Sequence, residues 1–86
     1  MNQQILEMLM QGTVEVIFRK KENNLLRTLL CTMNKSNIPP EELKTYGLAL
    51  QESGGDRMIV WDVEKNDWRS FYMNSIIDIF PSNAPK

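Results

Sequence analysis

Histidine is absent from this chain of 86 residues, and cysteine occurs once, as Cys31. These two scarcities exclude a Cys/His zinc site and any nucleophile activated by histidine. One cysteine cannot close an internal disulfide, which suits a reducing compartment. No run of about 18 apolar residues occurs, so no segment has the length of a membrane-spanning helix. The start, Met1-Asn2-Gln3-Gln4, lacks the basic region of a secretory leader, and the apolar stretch after it carries Glu7. The expected setting is therefore the cytoplasm, with no membrane partner. Charge of one sign is missing too. Ten basic and eleven acidic residues leave a net charge of −1, too weak a field to gather nucleic acid non-specifically.

What is present is the pattern of a small β-protein, and at this length one domain spanning 1–86 is the expectation. So small a domain is marginal alone, which favours a partner or self-association. Asn2 to Met10 reads as a short helix within an N-terminal segment 1–11, ended by Gln11-Gly12 and too short to stand alone. It is expected to cover one open end of the β-domain, with a partner-binding helix as the rival reading. Thr13 to Lys20 alternates, with Val14, Val16 and Phe18 on one face. After the polar turn Lys21-Glu22-Asn23-Asn24, Leu25 to Thr32 makes a second strand and a hairpin. The doublets Leu25-Leu26 and Leu29-Leu30 leave its buried face open. Cys31 reads as a small core residue.

Ile38 to Gly47 predicts a helical turn, with Pro40 at its first position, Glu41 and Glu42 at the positive end of the dipole, and Gly47 as the exit. Leu48-Ala49-Leu50 is then a short strand or packed coil, and Ser53-Gly54-Gly55-Asp56 a turn. Met58 to Met73 reads as a second hairpin and holds both tryptophans. With a loop over Glu64 to Asp67, Val63 faces Trp68, Asp62 faces Arg69 and Val60 faces Phe71. Met58, Val60, Phe71 and Met73 then share one face, and Ile59, Trp61, Val63, Trp68 and Tyr72 the other. Ile76 to Phe80 is a last strand and 81–86 a tail. The expected fold is mainly β: a small closed five-stranded barrel with a short N-terminal helix and a helical-turn insert between strands 2 and 3.

No catalytic residue, metal ligand or cofactor site emerges. Asp62, Glu64 and Asp67 lack the spacing of a calcium loop and read as a solvated turn. The aromatic face is too large an apolar patch to leave bare. Either the N-terminal helix or the insert covers it, or it meets a protein or a second copy. A third reading makes it a base-stacking platform beside Lys20, Lys21, Arg27 and Arg69. The run Arg19-Lys20-Lys21 reads first as a solvated turn, diluted by Glu22.

Gly12-Thr13-Val14-Glu15-Val16-Ile17-Phe18, Arg27, Leu30-Cys31-Thr32, Ile38-Pro39, Val60-Trp61-Asp62-Val63-Glu64 and Trp68-Arg69-Ser70-Phe71, closing on Ser75-Ile76, follow one another in an order that resembles a small tailed-phage family. That family is described as a WYL-associated, Sm-like SH3 β-barrel. The resemblance runs from about Gly12 to Ile79, and Val-Trp-Asp…Trp-Arg-Ser-Phe is its most specific part. It implies an SH3/Sm-like barrel of five bent strands, with an N-terminal helix as in Sm-type relatives. It also implies a phage accessory factor, without enzymatic activity, that engages a host protein or a host defence in the host cytoplasm. Trp61, Trp68, Arg69 and Tyr72 are the partner-binding candidates. The alternatives are an RNA- or single-strand-binding module using Lys20, Lys21, Arg27 and Arg69, and a structural homo-oligomer.

Overall fold

The alternation of Thr13–Arg19 survives in the computed structural model, which describes residues 3–82. Asn2 and the tail positions 83–86 lie outside the described residues. Five strands, β1 (Thr13–Arg19), β2 (Leu26–Thr32), β3 (Arg57–Asp62), β4 (Asp67–Tyr72) and β5 (Ile76–Pro81), form one antiparallel sheet in the order β4-β3-β2-β1-β5. Helix α1 (Gln3–Gln11) precedes them, and helix α2 (Leu43–Glu52) lies between β2 and β3.

In the first hairpin Val14 faces Cys31, Val16 faces Leu29, and Phe18 faces Arg27. This register settles the doublets of β2. Leu29 and Cys31 turn inward, while Leu25 and Leu26 are exposed. The turn is closed by Lys20 N–H donating to Leu25 O at 2.8 Å and by Asn24 in the left-handed region, φ 63°. β5 takes the other edge of β1, with Val16 opposite Ile79. The five strands keep the expected small-barrel order, with β4 and β5 at the two ends of the ladder, joined by the 3-10 turn Met73–Ser75.

The insert is more helical than the sequence reading. Gly47 is not its exit, and Leu48-Ala49-Leu50 is neither strand nor coil. The helix runs on to Glu52 because Tyr46 and Ala49 bury one stripe of it. Tyr46 Oη donates to Met33 O at 2.8 Å, tying the insert to the end of β2.

The inner face buries Val14, Val16, Cys31, Met58, Val60 and Phe71; Phe18 is half-buried and stacks on Phe71, with ring centroids 5.9 Å apart. Helix α1 contributes Ile5 and Leu9 to this core. Its C-terminal carbonyls would be orphans. Leu9 O accepts from Met33 N–H (2.9 Å) and from Thr32 Oγ1 (3.2 Å), and Thr32 Oγ1 also lies 2.7 Å from Gly12 O. None of the described helices is long and apolar enough to cross a membrane.

Candidate functional site

The second hairpin positions half of the candidate site. In it Trp61 faces Trp68, Val60 faces Arg69, Met58 faces Phe71, and Asp62 faces Asp67. The expected register was therefore two residues out. A slip of two preserves the faces, so Met58, Val60 and Phe71 still share one side and Trp61, Trp68 and Tyr72 the other. The cause lies in the turn. Asp62 Oδ1 accepts from the backbone of Glu64 (2.9 Å) and Lys65 (3.0 Å), and Asn66 takes a left-handed φ of 55°. Asp62 thus belongs to the strand and folds its carboxylate over the turn, where it is 2% exposed. It is not a solvated turn residue. Arg69 reaches it diagonally, Nε to Oδ2 at 3.6 Å.

The aromatic face divides. Trp61 is 3% exposed and sits in the core cluster with Tyr46 and Ala49 of the insert. Trp68 packs edge-on against it, centroids 5.3 Å apart, and its Nε1–H donates to Glu42 Oε1 at 3.1 Å. The insert covers these two rings, so Trp61 is corrected from contact residue to core residue and Trp68 anchors the insert to the sheet. Arg69 and Tyr72 remain exposed.

Both belong to a different feature. A cleft of about 360 Å³ opens between the β1–β2 hairpin and β4. Phe18, Leu29 and Phe71 line its apolar part; Arg19, Lys20, Lys21, Arg27 and Arg69 line the rest, with Glu22 among them. All four residues of the nucleic-acid alternative thus meet in one place. Half of the chain's ten basic residues lie there, against one of its eleven acidic ones. A local positive field therefore exists on a chain whose net charge is negative. Arg19 Nη1 donates to Asn24 O at 3.0 Å, which fixes the hairpin turn, and Lys21 Nζ lies 4.3 Å above the ring centroid of Tyr72. Phe18, Arg19 and Phe71 were missed as site residues. The alternation in β1 carried one signal, since it puts Phe18 and its partner Arg27 at the end of the inner face. The approach of β4 is tertiary and left no local mark.

Among the described residues no group of three or more Cys, Asp or Glu is placed to hold a metal ion. The geometry offers cations, aromatic rings and a concave surface, which is the equipment of a binding site for an anionic, partly planar ligand.

Fold and cleft together define a small β-barrel-type domain, compatible with a binding module. More particularly, the chain belongs to the family described as WYL_2, Sm-like SH3 beta-barrel fold, whose model matches residues 2–77. No curated protein and no solved structure matches the chain.

Proposed function

We propose that this protein is a non-enzymatic binding module that holds single-stranded nucleic acid, RNA or DNA, in the cleft between the β1–β2 hairpin and β4. The observation that carries this reading is the gathering of Arg19, Lys20, Lys21, Arg27 and Arg69 around Phe18, Phe71 and Tyr72. Cations that track a backbone beside an exposed ring that accepts a base, here Tyr72, are what sequence-tolerant single-strand binders use. A duplex fits less well, because a concave site of this size cannot admit its width. The host-protein reading centres on the face of Trp61, Trp68 and Tyr72, with Arg69 beside it, and the burial of Trp61 takes away that centre. The resemblance to a tailed-phage family would place the ligand in an infected cell, as a host or phage transcript.

The test is fluorescence anisotropy with a labelled oligonucleotide between about 50 and 200 mM salt, the range over which phosphate-dominated binding weakens steeply. The expected plot of log K against log salt is linear, with a slope of about −0.7 for each phosphate neutralised on a single strand. Lys20→Ala and Arg27→Ala each flatten it by about one phosphate. Absence of binding at low salt would refute the reading. So would an acidic polypeptide that competes as well as the oligonucleotide, and that result would restore a protein partner.

A further inference from the structure

We infer, resting on the cleft as a single-strand site, that it seats one nucleotide unit at a time. Its base lies on the ring of Tyr72, in the place the Lys21 ammonium now holds, and the displaced ammonium pairs with the adjoining phosphate. Three rings border the cleft, but only one is available for stacking. Phe71 is 2% exposed, and Phe18 is half-buried and turned onto Phe71 at an interplanar angle of 27°. These two rings stack on each other. Tyr72 is 43% exposed, at the end of β4. Its backbone is held by pairing with Arg57 and by Ser75 Oγ donating to its carbonyl at 2.7 Å. One free ring on a fixed backbone selects one base. A volume of about 360 Å³ agrees, since it lies at the lower end of small-molecule sites.

Lys21 marks the stacking position. Its ammonium lies 4.3 Å above the ring, where the plane of a base would lie. Lys21 is exposed in the Lys21–Asn23 turn, so the side chain swings away without breaking the hairpin. The exchange favours the ligand. A base stacked on an aromatic ring is worth more than an exposed cation–π contact, and the freed ammonium gains a phosphate. Arg69 faces the same cleft from β4, its side chain 45% exposed beyond Asp62, and is placed for the phosphate on the other side of the base.

The test is a length series of oligouridylates, from uridine 5′-monophosphate upward, titrated calorimetrically against the intact protein. Affinity should climb to about two nucleotides, where the 5′-phosphorylated series first gives one base with a phosphate on each side, and then rise only by the statistical factor of added registers. Tyr72→Phe should bind like the wild type. Tyr72→Leu should lose about tenfold or more with the salt slope unchanged, as loss of a stack requires. Lys21→Ala should flatten the slope by about one phosphate, while a thermal melt shows the fold intact. Affinity that keeps climbing with every added nucleotide would overturn the single-unit seat and leave an extended track along the cleft. Unchanged binding by Tyr72→Leu would overturn the stacking site. Failure of every oligonucleotide would instead refute the single-strand reading itself.

Discussion

Cys31 shows how far burial alone sets chemistry. Burial first, and the neighbouring Asp62 charge second, push its thiol up from 9.0 to about 12. The folded chain keeps the proton where the unfolded chain releases it. Stability is therefore fully present below about pH 9 and is lost as pH climbs toward 12. The whole interval corresponds to about 4 kcal/mol. Tyr46, raised by burial and donating its proton to Met33 O, acts in the same direction. Urea melts between about pH 9 and 11 check this: the wild-type midpoint should fall steadily, and Cys31→Ala should fall less steeply. Equal slopes for the two proteins would remove Cys31 from the account. A thiol held so high is also a poor nucleophile, which makes this cysteine a packing residue.

At the scale of the element, α2 carries a glycine it does not need. Gly47 lies mid-helix, and a methyl group added there would meet no atom within 4 Å. Gly47→Ala should stabilise the protein by about 0.5–1 kcal/mol, a rise in Tm of several degrees for a domain of this size. A fall in Tm would mean that the exposed face of α2 is used in a way that a methyl group obstructs. Gly47 also shows where legibility ended. A glycine after Tyr46 reads as a helix exit in sequence, and the buried Ala49 that carries the helix onward is a tertiary fact. The strands were legible because alternation is local, as in Val14, Val16 and Phe18. The second hairpin kept its faces and lost its register by two, because a directly facing Asp62–Arg69 pair looks better than the facing Asp62–Asp67 pair until the turn amides on Asp62 are counted. The cleft was half legible. Lys20, Lys21, Arg27 and Arg69 could be named, but the meeting of two hairpins could not.

The whole molecule is a dipole of net charge. Its pI is 5.3, yet half of its basic side chains share one cleft. Two consequences oppose each other at pH 7. The net charge of −1 predicts elution in the void of a cation exchanger; the patch predicts retention. At low salt the Debye length is about 30 Å, comparable to the molecule's 34 Å long axis, so the resin feels near and far charges together. At about 0.1 M it is about 10 Å and the near patch dominates. Retention should therefore rise on going from very low to moderate salt before falling again. Lys20→Glu with Lys21→Glu should abolish the maximum. A monotonic profile would mean that the acidic remainder reaches into the cleft.

β1 pairs with β2 across a four-residue turn, but its other edge waits for β5, about sixty positions further along the chain. At about 5–20 residues per second of synthesis, that wait lasts several seconds. Throughout it the nascent protein carries an open strand edge, the surface most prone to pair with a neighbouring copy. Crowded ribosomes on one message would bring such edges together. The quality of the folded product therefore depends on how fast Ile76–Pro81 follows Thr13–Arg19 into solution, a property of translation as much as of the finished fold.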